Sequence, residues 1–197
     1  MAFIKMTQSF YLQQNVLNMA QSLLGKYLCS WVDNSLTCGI IQEVEAYAGI
    51  GDPANHAYKK ITKRAQFMQQ TGSIAYVYLC YGKYPLFNAL TNIEGIADAC
   101  LIRSIHPIEG ISTMLQRREK KSMTPSLTKG PGKVAQALGI SLKHNGVSLC
   151  NETIIWIEEK KSDHPTTLSI HQKPRIGIEY AGEAALWNWN FSLSHPL

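Results

Sequence analysis

The sequence predicts a single domain of the α+β class, with strands joined by short turns and separate amphipathic helices around one core. Three observations lead there. The 197 residues are 45% hydrophobic and 17% charged, enough apolar material for one substantial core with no need of a second. Apolar and β-branched runs come in pairs flanking turn residues, the pattern of antiparallel hairpins. Helical periodicity appears in short stretches beside them.

Val16, Met19, Ala20, Leu23 and Leu24 recur at helical spacing, Asn15 is placed to cap the first turn, and Gly25 suits a left-handed closing residue. These predict an amphipathic helix of about three turns. Residues 27–32 and 36–41 flank Asp33-Asn34 and predict a hairpin. Residues 48–70 show no clean period and gather Lys59, Lys60, Lys63 and Arg64, which predicts a functional surface loop with a basic edge. Residues 74–81 are rich in β-branched and aromatic side chains. Gly82-Lys83 supplies a turn, and 86–91 return beside them. Residues 99–105 form a further strand. Pro107 is placed to start a helix whose apolar face is Ile111, Met114 and Leu115, reaching Arg117-Arg118. The polar, Pro-interrupted residues 119–128 predict a flexible connection. Gly130-Pro131-Gly132-Lys133 opens another helix, closed near Gly139, and strands are expected at 154–157 and 175–178. There is no internal repeat.

Lys and Arg total 19 against 14 Asp and Glu, and the net charge of +5 permits a polyanionic partner without requiring one. The five cysteines, Cys29, Cys38, Cys80, Cys100 and Cys150, are odd in number and have no close metal-ligand spacing, so reduced thiols and no metal site are expected. No apolar run approaches the roughly 20 residues that span a bilayer, and the N-terminus lacks a signal-peptide core. A cytoplasmic protein with no membrane partner is expected.

Four constellations are candidates for chemistry. In Glu43-Val44-Glu45-Ala46-Tyr47, period two puts Glu43, Glu45 and Tyr47 on one face. Carboxylates there are solvated, paired or functional, because burying an unpaired charge costs several kcal/mol, and a solvent-facing pair on an edge strand is the plain alternative. In Tyr76-Val77-Tyr78-Leu79-Cys80-Tyr81-Gly82, Tyr76 and Tyr78 share a face and suit ordinary packing as well as a site. Tyr81 sits at the turn, where it is poorly placed for a core and suited to a wedge pushed into a base stack. Arg103, alone in an apolar strand, needs a carboxylate, a phosphate or water; a structural bridge to one of the glutamates is the simpler alternative. Lys129-Gly130-Pro131-Gly132-Lys133 suits phosphate binding at a helix start and equally a plain helix cap.

These segments, together with Leu23-Leu24-Gly25-Lys26, Asp52-Pro53-Ala54-Asn55-His56-Ala57, Arg103-Ser104-Ile105-His106-Pro107-Ile108-Glu109-Gly110 and Arg175-Ile176-Gly177-Ile178, run in one order over nearly the whole chain. The ordered set resembles the alkyladenine (3-methyladenine) DNA glycosylase family of the mammalian type, which also occurs in bacteria. The resemblance implies a curved antiparallel sheet with flanking helices and a protruding hairpin that enters the DNA minor groove. It implies Glu45 as the base that deprotonates the attacking water, chosen over Glu43, and Arg103 as a second holder of that water. Tyr47, His56 and Tyr78 would enclose a flipped base, Asn88 would reject guanine by a clash with its exocyclic amino group, and Tyr81 would fill the vacated stack. Lys63, Arg64, Lys83, Lys129 and Lys133 are the candidates for backbone phosphate contacts. The partner implied is double-stranded DNA carrying alkylated or deaminated purines. A monomer with no cofactor and no metal is expected, in a bacterial cytoplasm at the nucleoid, or in a nucleus if the source is eukaryotic.

Three positions depart from the family pattern: Lys83 where an apolar residue, commonly methionine, stands beside the wedge; Ala65 where asparagine usually follows Thr62-Lys63-Arg64; and Pro85 in the returning strand, which removes a ladder donor and loosens the hairpin. Cleavage of the glycosidic bond needs only one carboxylate and a water. With Lys83 the only lysine assigned to the pocket segments, hydrolysis without strand cleavage is expected. The rival readings are a catalytically silent nucleic-acid-binding module and a small-molecule transferase, the latter without a cofactor motif to support it.

Overall fold

Two short elements, β1 (Phe3–Lys5) and α1 (Gln8–Tyr11), precede the first helix that the periodicity predicts. That helix, α2 (Val16–Leu23), is a little over two turns long and carries the expected cap, the Asn15 side chain accepting from the backbone N–H of Leu17 and Asn18. Val16, Met19, Ala20 and Leu23 are buried, each large one worth about 1.5–3 kcal/mol of transfer free energy. Gly25 follows with φ +78°. The computed structural model describes residues 3–58, 62–160 and 169–194; Lys59 and Lys60 of the expected basic edge lie outside them.

Strands β2 (Tyr27–Val32) and β3 (Ser35–Tyr47) form the predicted hairpin about Asp33-Asn34, both with positive φ. Then come α3 (Lys63–Met68), β4 (Ala75–Cys80), β5 (Tyr84–Thr91), β6 (Asp98–Glu109), α4 (Ile111–Arg117), α5 (Pro131–Ala137), β7 (Ile155–Lys160), β8 (Ile170–Lys173) and β9 (Asn190–Leu193). The sheet runs β1-β7-β2-β3-β6-β5-β4, every pair antiparallel. β3 is its backbone. One edge of β3 pairs with β6 from Cys38 to Tyr47, while the other pairs with β2 near its start and with β9 at Glu43–Glu45, so the sheet forks and curls there. Register shifts around Ile41 and Glu43 accompany the bend. α2 packs on β3 and β6, and α5 covers β5 and β6.

The structure corrects several expectations. Residues 63–68 are helical, with the Thr62 hydroxyl accepting from Ala65 N–H at 3.1 Å. This segment is therefore anchored through Thr62 and buried Ala65, without an asparagine. Pro107 starts no helix. It lies inside β6, opposite Gly39 at a register shift, where a missing ladder donor is tolerated, and α4 begins only after Gly110. The 119–128 connection is pinned at its end by buried Leu127 and by Thr128 Oγ1 donating to the Ile105 carbonyl at 2.6 Å. Arg175–Ile178 is no strand: the Arg175 side chain and Ile176 N–H are committed to the site described below, and Gly177 has φ +78°. Pro85 leaves the hairpin intact, pairing with Leu79 in an unbroken register.

The cysteine expectation also fails for one pair. Cys29 and Cys38 face each other across β2–β3 and are joined as a disulfide, while Cys80, Cys100 and Cys150 are free thiols. The signal was in the turn: a hairpin centred on Asp33-Asn34 places residues 29 and 38 opposite one another.

Candidate active site

Glu45 has no solvent exposure at all, and β3 is hydrogen-bonded on both sides there, which removes the edge-strand reading. A buried carboxylate must be satisfied, and this one takes four donors. Oε1 accepts from Ile176 N–H at 2.8 Å and from Asn190 Nδ2 at 2.9 Å. Oε2 accepts from the Tyr47 hydroxyl at 2.9 Å and from Arg103 Nη1 at 3.3 Å. Period two does bring Glu43 and Glu45 together: Asn190 Nδ2 also donates to Glu43 Oε1 at 2.9 Å, and Arg103 Nε lies 3.6 Å from that oxygen. Arg103 therefore meets both glutamates, so the bridge offered as its simpler alternative exists within the site.

Lys173 Nζ completes the Glu43 side at 3.1 Å. Burial alone would raise the Glu43 pKa, but the hydrogen bonds from Asn190 and Lys173 and the charges of Lys173 and Arg103 hold it below its ordinary value. Burial first, then the charge of Glu45 and the hydrogen bond to it, keeps the Tyr47 hydroxyl protonated well above the usual tyrosine range, so it remains a donor.

Tyr47, Arg103 and Ile176, three of the four donors to Glu45, also line a cavity of about 1060 Å³. Glu45 stands immediately behind that wall. His56, Tyr78 and Asn88 line the same cavity. The rings of Tyr76 and Tyr78 stack at 5.3 Å, and the His56 ring meets Tyr78 edge-on at 4.6 Å. His56 Nδ1 is 2.9 Å from the Tyr76 hydroxyl, whose pKa burial pushes up to about 12 against the opposing charge of Arg64. Asn88 is buried and donates to the Tyr76 carbonyl at 3.2 Å. Tyr76, expected to pack in the sheet face, is buried as expected and also hydrogen-bonds two of the pocket residues.

The β4–β5 hairpin rises beside the cavity. Tyr81 at its tip is 93% exposed with φ +52°, Gly82 follows at +67°, and Lys83 N–H closes the turn on the Cys80 carbonyl at 3.1 Å. A tyrosine in the left-handed region, making no burial contact, is a strained and solvent-facing aromatic. Lys83 sits over the Tyr84 ring at 5.4 Å. Arg64, exposed on α3, sits over the Tyr78 ring at 5.7 Å and lines the cavity. Lys63 and Lys129 are exposed. Lys133, at the first turn of α5, lines the cavity and Lys83 does not, so the lysine at the pocket is not the one expected from the sequence.

Sequence reasoning assigned no role to Arg175, Asp52, Asn190 or Lys173. Arg175 is buried, paired to Asp52 at 2.5 and 2.8 Å, and its guanidinium covers the faces of Tyr47 at 4.7 Å and Trp189 at 5.0 Å. The available signal was that both members of the pair stand in the ordered segments. Nothing of that kind marked Asn190, one of two asparagines in the aromatic stretch from Trp187 to Phe191. Among the described residues, Cys29, Cys38 and Glu158 are the one group of Cys, His, Asp and Glu close enough to ligate a metal; their sulfurs are joined to each other and none of the three lines the cavity. No described helix is long and apolar enough to cross a membrane.

Comparison with known proteins gives the family. The family model of methylpurine-DNA glycosylase matches residues 9–195. A Chlamydia felis protein is 43% identical over 189 residues, covering 95% of either chain. Proteins from Clostridium tetani and Bacillus cereus are 41% and 42% identical over 196 residues, again covering 95% of either chain. All three carry 3-methyladenine DNA glycosylase as their assigned name.

Proposed function

The chain belongs to the methylpurine-DNA glycosylase family, an enzyme of DNA repair that hydrolyses N-glycosyl bonds, and from that premise we propose that it is a monofunctional glycosylase using Glu45 as its base. Its substrates are 3-methyladenine, 7-methylguanine and hypoxanthine in duplex DNA. The observation that carries this reading is the buried Glu45 carboxylate, held by four donors directly behind the wall of an aromatic cavity.

The chemistry follows from that placement. A base inside a duplex is out of reach, so the damaged nucleotide rotates into the cavity at a cost of a few kcal/mol, which a weakly paired base lowers. Tyr47 and Tyr78 offer faces worth roughly 1–3 kcal/mol per stacked base, and a cationic base such as 3-methyladenine gains further from those rings. His56 hydrogen-bonds near the altered edge, and Asn88 leaves no room for a guanine amino group. Tyr81, already exposed and held out by the turn, occupies the gap left in the stack.

A water entering between Tyr47 and Arg103 meets Oε2 of Glu45. The carboxylate removes its proton as the water oxygen bonds to the sugar C1′, and the glycosidic electron pair leaves with the base. The same negative charge stabilises the positive charge that develops on the sugar. Tyr47→Phe keeps the stacking ring and removes one donor to Oε2; it is expected to retain lesion binding and to change the rate alone. Lys63, Arg64, Lys83, Lys129 and Lys133 neutralise backbone phosphates. The silent binding module has no use for a buried carboxylate behind the cavity and falls with the family assignment.

The test is incubation with duplex DNA carrying one hypoxanthine or one 3-methyladenine, with and without alkali. Alkali-labile sites without prior strand breaks are expected. Absence of release from any of several modified purines refutes the substrate class, and breaks before alkali refute the monofunctional chemistry.

A further inference from the structure

We infer that Asn190 is a positioning residue which, with Glu43 and Lys173, holds the Glu45 carboxylate fixed for the reaction beside a second carboxylate. The inference rests on Glu45 being the base and goes beyond it by explaining how two carboxylates share one buried place. The same nitrogen, Asn190 Nδ2, is 2.9 Å from Glu43 Oε1 and 2.9 Å from Glu45 Oε1, so the two oxygens are separated by no more than two hydrogen bonds. Two carboxylates this close repel each other and need donors or cations between them.

Asn190 supplies the compensation without supplying charge. An amide NH2 has two hydrogens, and here each goes to one carboxylate. The residue is fully buried, and its Oδ1 has no hydrogen-bond partner among the described residues. The amide thus leaves its own acceptor unmet to face both acids with its donor end; the reversed orientation would set oxygen against two oxygens. Its backbone is fixed too, since β9 pairs Asn190 with Glu45 on β3 and with Lys173 on β8. β8 thereby delivers the Lys173 ammonium to the outer side of Glu43.

The charged and titratable groups facing Glu45 divide around this amide. Arg103 from β6 and Tyr47 from its own strand hold Oε2. Tyr78 from β4 is within electrostatic reach, and Arg175, paired with Asp52, lies across Tyr47. Among the described residues Glu43 is the carboxylate that shares a donor with Glu45, and Lys173 and Arg103 also meet it. Removing Asn190 leaves the two acids to repel directly.

The test is single-turnover release of hypoxanthine across pH by the wild type, Asn190→Ala, Glu43→Gln and the double variant, with lesion-DNA affinity and thermal unfolding measured alongside. In Asn190→Ala the acid limb of the rate profile is expected to move up, with affinity within about twofold of wild type. Glu43→Gln alone moves the limb down, and in the double variant it returns the limb towards wild type. An unmoved limb in Asn190→Ala, or a rate lost equally at every pH with no rescue by Glu43→Gln, overturns the inference. If Asn190→Ala fails to fold, Glu43→Gln decides: a limb that does not move down overturns it. A wild type without activity defeats the glycosylase reading itself, so the two failures are distinguishable.

Discussion

Two ion-pair systems meet at Tyr47: Arg103 with the two glutamates on one side of it, and Arg175 with Asp52 across its ring. The second pair is fully buried at both ends, so leaving one member alone strands a charge. Arg175→Met is therefore expected to destabilise the protein by about 3–5 kcal/mol, read from denaturant unfolding, whereas exposed Lys143 beside Asp33 should be replaceable at almost no cost. Glu43 has a worked pH signature. Its folded-state pKa lies below the ordinary 4.5, so its ionised form stabilises the fold above that value, and the contribution is lost as pH falls through the lowered folded-state pKa. Unfolding midpoints measured down through the carboxylate range should fall less steeply in Glu43→Gln than in wild type; equal slopes contradict the assignment. Residue types were legible in the sequence where an oddity marked them, such as a carboxylate in an apolar strand or an arginine alone in another. Asn190 and Lys173 carried no such mark, because their meaning comes only from the pairing of β9 with β3 and of β8 with β9.

Among the elements, the β4–β5 hairpin carries the clearest conflict between stability and use. Tyr81 occupies the left-handed region, which costs an L-residue roughly 1–2 kcal/mol, and at 93% exposure it recovers nothing by burial. Tyr81→Gly is expected to raise stability by about 1 kcal/mol and yet weaken binding to lesion DNA. Tyr81→Ala should weaken binding without moving the pH profile of the rate. Unchanged binding in both variants contradicts the wedge. Hairpins were legible because turn residues and alternation are local, and Asn15 announced its helix for the same reason. What escaped was non-local. Pro107 looks like a helix start until Gly39 opposite it is seen to lie at a register shift. Arg175–Ile178 looks like a strand until its donors are found committed to Asp52 and Glu45. The Cys29–Cys38 pair was encoded by the hairpin register and outweighed by the odd cysteine count.

For the molecule as a whole, one curled sheet brings residues far apart in the chain, from Tyr47 to Ile178, around the cavity in front of Glu45. That convergence was legible only through the family resemblance, since periodicity gives elements and not their assembly. The net charge of +5 makes DNA association salt-dependent, with each phosphate neutralised contributing about 0.9 to the slope of log affinity against log salt. Lys133→Ala is expected to flatten that slope by about one and to weaken binding to any sequence alike; an unchanged slope removes Lys133 from the footprint. The most direct measurement of the central claim is the single-turnover rate of base release from duplex DNA carrying one hypoxanthine, compared between wild type and Glu45→Gln at equal saturation. A loss on the order of 10²–10⁴-fold in rate with lesion binding retained is the result predicted. A Glu45→Gln protein that releases the base at the wild-type rate contradicts it.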